Sequence, residues 1–264
     1  MDNKKKRIGV LDSGLGGLTV IKELERLLPQ ESVAYFGDNA NCPYGNRPKE
    51  EIVELTISML DFLQKQDIKI VAIACNTIST LVDEFRKRYE FPIVSIIEEA
   101  CKYVAGRELS QVGVFATEFT IRQGVYGKML EKLRPETKVF GQSSRTLAAM
   151  IDEGKFNEPG VKAEIEAMLA ALRQAKPTIK TIVLGCTHYP IVQDLFEQAA
   201  PDITFINPAQ VQAKAVESLL SERGLLSDAS VPPLDIFTSG EKSQYEAALK
   251  KLEISRPDSI TIIK

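Results

Sequence analysis

The chain has 264 residues, enough for one large α/β domain or two of ordinary size with ample core. Lys plus Arg number 33 against 36 Asp plus Glu, a formal charge of −3, so no basic field points to nucleic acid or to an anionic membrane surface. Residues 8–11, behind a short basic tail, are too brief for a secretory h-region, and no apolar run approaches the roughly 20 residues that span a bilayer.

In chain order, residues 7–11 read as a buried strand. The glycine-rich turn Asp12-Ser-Gly-Leu-Gly-Gly17 and a helix with Leu18, Ile21, Leu24 and Leu28 on one face follow. Residues 32–36 are the next strand, running into the loop Gly37-Asp-Asn-Ala-Asn-Cys-Pro-Tyr-Gly45, and Ile52, Leu55, Met59 and Phe62 mark a helix after Pro48. The apolar run 70–74 ends in Cys75-Asn-Thr and enters a helix expected to reach about residue 88, before a short strand at 92–96.

The pattern then restarts. Val112-Gly-Val-Phe115 stands 104 residues after Ile8-Gly-Val-Leu11, and Phe140 stands 104 after Phe36. After a helix carrying Val161, Ile165, Met168 and Leu172, the run 181–185 ends in Cys186-Thr-His, 111 residues after Cys75. Three landmarks in one order imply two copies of one unit. The expected fold class is α/β, with two pseudosymmetric open parallel-sheet domains and the active site in the cleft between them. Beyond strand 204–206 come a helix to about residue 222, the loop Ser230-Val-Pro-Pro233, strand 235–238, a helix over 245–252 and strand 259–263. This tail most economically completes the first sheet, giving domains of 1–97 plus 208–264 and of 98–207. With a strand opening so near residue 1, no large N-terminal regulatory extension is expected.

Cys75 and Cys186 each fall at the carboxyl end of a strand and before a helical start, where ligands of α/β sheets bind and a helix dipole favours thiolate. Two such thiols facing across a cleft suit the removal of a proton from one face of a carbon and its return to the other. Cys42 and Cys101 have no such setting and read as small buried hydrophobes. With scattered cysteines, one histidine and no C-x-x-C pair, neither a zinc site nor a thiol redox centre is expected, and without a secretion signal no disulfide framework. His188 reads as a proton relay or charge partner for Cys186, against a structural role. Asp12 reads either as a turn cap or as a carboxylate beside Cys75. The turn after Asp12 lacks G-x-G-x-x-G and the P-loop Lys-Ser/Thr, so its glycines are expected to serve a tight turn and close substrate approach. Asn76, Thr77, Thr117, Thr120 and Thr187 supply neutral donors suited to carboxylates, and no arginine cluster awaits phosphates. A small carboxylate-bearing ligand follows.

Leu11-Asp-Ser-Gly-Leu-Gly-Gly17, Gly37-Asp38 with Pro43-Tyr-Gly45, Ala74-Cys-Asn-Thr77 and Leu184-Gly-Cys-Thr-His-Tyr-Pro190 together resemble the glutamate racemases of bacterial cell-wall synthesis, in the aspartate/glutamate racemase superfamily. The resemblance implies cofactor-independent conversion of L- to D-glutamate for peptidoglycan by a cytoplasmic homodimer, with no metal, nucleic-acid or membrane partner. It makes Cys75 and Cys186 the acid/base thiols, the first deprotonating D-glutamate and the second L-glutamate, with Asp12 assisting Cys75 and His188 assisting Cys186. Substrate would be held by Asp12, Ser13, Pro43, Tyr44, Gly45, Asn76, Thr77, Thr187 and His188, with Thr117 and Thr120 added. The chain departs from the family's usual residues at Ala116, Phe119, Gly141-Gln-Ser-Ser144 and Asn207-Pro-Ala209, away from the thiol pair. An aspartate racemase of the same superfamily and a weakly active homologue acting as a binding protein, for example on DNA gyrase, are the rival readings.

Overall fold

A computed structural model describes residues 3–230, 232–254 and 257–263; Val231 of the expected 230–233 loop lies outside them. The elements run β1 (Arg7–Asp12), α1 (Leu18–Leu27), β2 (Val33–Gly37), α2 (Lys49–Gln64), β3 (Ile68–Ile73), α3 (Asn76–Ser79), β4 (Ile93–Ser95) and α4 (Ile96–Ala105). Next come β5 (Gln111–Thr117), α5 (Glu118–Gln123), α6 (Val125–Leu133), β6 (Lys138–Ser144), α7 (Leu147–Asp152), α8 (Pro159–Ala175), β7 (Thr181–Gly185), α9 (Gln193–Ala199) and β8 (Thr204–Ile206). The chain closes with α10 (Pro208–Glu222), β9 (Leu234–Thr238), α11 (Lys242–Leu252) and β10 (Ser259–Ile262).

The strands form two sheets, ordered β10-β9-β2-β1-β3-β4 and β6-β5-β7-β8. Every pairing is parallel. Strands buried on both faces need continuous apolar runs, and Ile68-Lys-Ile-Val-Ala-Ile73 and Ile182-Val-Leu184 supply them; the one charge, Lys69, is neutralised by buried Glu31 at 2.6 Å. The order β2-β1-β3-β4 recurs as β6-β5-β7-β8. The repeat read from residue offsets is therefore a repeat of topology, with β3 and β7, the strands before Cys75 and Cys186, in equivalent places. In both halves the strand order reverses at the first strand, so each carboxyl edge offers a crevice there. Helices α4 and α10 pack on each other, α10 also on α1 and α4 also on α6, joining the halves. From α10, the Gln212 amide donates to the carbonyls of Ile73 and Val94 and so caps the carboxyl ends of β3 and β4.

Several local expectations change. The helix expected from Cys75 to about residue 88 is one α-turn followed by 3₁₀ turns at Val82–Glu84 and Arg86–Arg88. There Ser79 Oγ donates to the Ile73 carbonyl and Thr80 Oγ1 to the Thr77 carbonyl, hydroxyl bonds that compete with helix propagation. Likewise His188 opens a 3₁₀ turn, Tyr189–Val192, in which the Ile191 N–H donates to the His188 carbonyl. Helices α5 and α6 occupy a stretch where no helix was read. Two departures from the family pattern satisfy N–H groups at helix starts: Ser144 Oγ, at the end of β6, accepts from the Leu147 N–H at 2.9 Å, and the N-cap Asn207 Oδ1 accepts from the Ala209 N–H at 3.0 Å.

Candidate active site

The two sheets present their carboxyl edges to one narrow cavity, lined by both Cys75 and Cys186. Ser13, Pro43, Tyr44, Gly45, Asn76, Thr77, Thr117, Thr187 and His188 share its wall, as do Cys42 and Ala148. Asp12 and Thr120 stand one layer behind. Asp12, fully buried at the end of β1, accepts from the Thr187 hydroxyl at 3.1 Å and from the Gly14 N–H at 3.2 Å. Thr120 shares a hydroxyl cluster with Thr117 and Thr77, at 3.0 and 3.5 Å.

The thiols differ in their surroundings. Cys75 Sγ is 3.4 Å from the Ser13 hydroxyl, the side chain bonded to it, whereas Asp12 acts on it through its charge. A helix N-terminus was expected to favour thiolate here. Instead burial and the Asp12 carboxylate push the Cys75 thiol up to about 12, with Ser13 and the Ile78 N–H opposing. The single turn of α3 carries too little dipole to overcome that desolvation. Cys186 Sγ lies 3.7 Å from His188 Nδ1, and His188 Nε2 lies 2.9 Å from Asp152 Oδ1. Burial works against a charged imidazole, yet Asp152 and Cys186 outweigh it and hold His188 well above its ordinary value. Burial would also raise Asp152, but the His188 ring and the Leu15 N–H bring it below the usual carboxylate range, helped by the Asn39 amide. The surroundings thus favour the charged ring, with one nitrogen facing Asp152 and the other facing Cys186.

Asp152 was not anticipated. It ends a short helix and follows no strand, so nothing in the order of the chain marks it; only the fold sets it against a histidine 36 residues away. Cys42, read as a buried hydrophobe, is instead on the cavity wall. Tyr126, also unread, donates from its hydroxyl to Asn76 Oδ1 at 2.7 Å. Asn76 lines the cavity, and its buried Nδ2 has no hydrogen-bond partner among the described residues, a donor left over for a ligand oxygen.

Of the glycines after Asp12, Gly14 and Gly16 serve close approach between the two halves, while Gly17 leaves room for Tyr35. None of them has positive φ. A Cβ on Gly16 would stand 2.5 Å from Thr187 Oγ1 and 2.9 Å from the His188 backbone nitrogen. Bare backbone there brings the Asp12 turn within reach of the Cys186 turn.

Burial raises Asp12 to about 6, with His188 and the Gly14 N–H opposing. A buried carboxyl that prefers its neutral form weakens the fold wherever it is ionised. The penalty is absent below the unfolded value near 4, grows as pH rises to about 6, and is complete above that, about 3 kcal/mol in all. Asp12→Asn is expected to raise the melting temperature at pH ~7.5 and leave it unchanged at pH ~4, while lowering turnover. Equal melting shifts at the two pH values would contradict this.

A sequence model of the Asp/Glu/Hydantoin racemase family matches residues 8–216. The chain belongs to this family. A glutamate racemase of Oceanobacillus iheyensis is 34% identical over 240 residues, 89% of this chain and 87% of its own. A glutamate racemase isoform from Bacillus anthracis superposes with a TM-score of 0.91 at 32% identity, over 99% of this chain and 98% of that one. The Francisella tularensis glutamate racemase, solved in complex with D-glutamate, gives 0.90 at 30% identity, over 99% and 98%. Among the described residues no helix is long and apolar enough to cross a membrane.

Proposed function

We propose that this chain interconverts L- and D-glutamate without a cofactor, supplying D-glutamate for peptidoglycan, with Cys75 and Cys186 as the proton carriers on opposite faces of Cα. The observation that carries this reading is the pair of thiols, at equivalent strand ends of duplicated sheets, on the wall of one cavity. The Cα proton of an amino acid is very weakly acidic, and a placed acid/base pair contributes about 10²–10⁴-fold. Fixed donors must supply more by holding the carboxylate as negative charge develops at Cα. The free Asn76 Nδ2 and the Thr77 and Thr117 hydroxyls, 3.1 Å apart, are placed to do so. Asp12, charged above about pH 6, suits the substrate ammonium, and that ammonium in turn relieves the negative field holding the Cys75 proton. At Cys186 the His188–Asp152 pair keeps a positive ring beside the sulfur that receives or returns the other proton.

Residues 1–97 with 208–264 form one domain in this reading and 98–207 the other, the cavity lying between them. The family resemblance adds a homodimer and the cytoplasm, where thiols stay reduced. The test is circular dichroism of L-glutamate in D₂O with purified protein alone. Decay of the signal to zero, with deuterium at Cα of the product, is expected; no decay, decay only after pyridoxal phosphate is added, or faster decay with aspartate each rejects the assignment.

A further inference from the structure

Cys42, Asp152 and His188 come from the loop after β2, the end of α7 and the turn after β7, and their ligand atoms lie within 4.8 Å of one another. A Cβ on Gly14 would stand 2.7 Å from Asp152 Oδ1, 3.2 Å from Cys42 Sγ and 3.4 Å from His188 Nε2. Sulfur, carboxylate and imidazole therefore converge on one point of backbone that carries no side chain. The spacing of cysteines and the single histidine argued against a metal in the sequence, but such spacing only registers ligands that are neighbours along the chain.

We propose that Cys42, Asp152 and His188 form an inhibitory site for a borderline-soft divalent transition metal, zinc foremost, whose fourth position opens to the cavity. One thiolate, one imidazole and one carboxylate make a zinc-type donor set, whereas magnesium and calcium take oxygen ligands. Bonds of 2.0–2.3 Å place tetrahedral ligand atoms roughly 3.3–3.8 Å apart. To reach that spacing the His188–Asp152 contact of 2.9 Å must open slightly and the Cys42 sulfur move inward. The charge closes: the cation meets the Asp152 carboxylate and a Cys42 thiolate. Two protons leave for solvent, one from the Cys42 thiol and one from His188 Nε2, so binding weakens in acid. Burial and the nearby carboxylates hold the Cys42 thiol up, but a coordinated thiol is deprotonated outright. Metal on Nε2 replaces the proton that pairs His188 with Asp152 and dismantles the charged partner of Cys186. Inhibition rests on the racemase reading above; metal binding does not.

The test loads wild-type protein with Co²⁺ alone. One equivalent is expected to give a sulfur-to-cobalt charge-transfer band with tetrahedral d–d absorption, discharged by Zn²⁺, and Zn²⁺ is expected to inhibit racemisation. Cys42→Ala and Cys42→Ser lose the band and need at least tenfold more zinc for half-inhibition, each against its own metal-free rate; Cys75→Ser keeps the band. Should both Cys42 variants misfold, zinc protection of Cys42 from alkylation in the wild-type chain, with Cys101 unaffected, reads the same site. No band, a band surviving in Cys42→Ala, a band lost in Cys75→Ser, or no protection of Cys42 overturns the site. A cobalt band with metal-free racemisation but no zinc inhibition leaves metal binding standing and overturns the inhibitory role; no racemisation without metal sinks the racemase reading instead.

Discussion

Replacing Cys75 or Cys186 with serine is expected to remove racemisation in both directions, by at least about 10³–10⁴-fold, while the melting temperature changes little. Each hydroxyl is nearly isosteric with its thiol, and both positions are walls of a cavity, so packing is preserved. The loss is chemical: an alcohol is a far weaker acid than a thiol, and the reaction needs one group to accept a proton while the other donates. Because enantiomers have equal free energy, kcat/KM for L- and D-glutamate must fall by the same factor in either variant. Steady-state rates therefore cannot tell the two thiols apart. Proton exchange can. In D₂O, residual exchange at Cα is expected only with L-glutamate in Cys75→Ser, where Cys186 survives, and only with D-glutamate in Cys186→Ser. The opposite pattern would exchange the faces assigned to the thiols, and wild-type turnover in both variants would end the two-thiol proposal.

What the chain disclosed in one dimension was what the fold repeats. The strands before Cys75 and Cys186 are legible because parallel strands buried on both faces demand unbroken apolar runs, and the offset between copies survives in Ile8-Gly-Val-Leu11 and Val112-Gly-Val-Phe115. Strand order in the two halves followed from that repeat. Asp152 and Cys42 were illegible for a complementary reason: they follow the equivalent strands β6 and β2, but there the halves diverge, into a helix in one and 3₁₀ turns in the other. Asp152 lies at the end of a six-residue helix and Cys42 in a loop, and neither has a local pattern that predicts its neighbour. The resting protonation of Cys75 was missed because motif logic sees a helix start, whereas the balance is set by burial and the Asp12 carboxylate, which require three dimensions. The glycine turn was read correctly as close approach, but its partner is the opposite half of the protein, Thr187 and His188.

Asp152→Asn is the change that separates a positioning role from a merely structural one. The amide keeps a hydrogen-bond acceptor for His188 Nε2, 2.9 Å away, and removes the charge that offsets burial of the imidazolium. With that charge gone, desolvation wins and the His188 pKa falls toward or below its ordinary value. At pH ~8 the ring is then neutral, and turnover is expected to fall about 10²-fold, equally in both directions. As pH drops toward ~6 the ring recharges, and the ratio of variant to wild-type turnover is expected to climb. Asp12 also titrates near 6, and with the His188 charge gone its carboxyl rises further in the variant and works against that climb. His188→Asn, with no ring to recharge, should show a loss of about 10²–10³-fold and a flat ratio. Stability moves with the same pair. Asp152, held below the usual carboxylate range, contributes stability above about pH 4 that is lost as pH falls through its folded value; His188, held above its ordinary value, contributes stability below about pH 6.5 that is lost as pH rises through its folded value. In Asp152→Asn both contributions vanish together, so melting temperature is expected to drop most between about pH 4 and 6.5, where wild type has both charges in place. A turnover ratio that stays flat with pH in Asp152→Asn would mean the carboxylate only props the ring in place, and the charged partner for Cys186 would have to be sought elsewhere on the cavity wall.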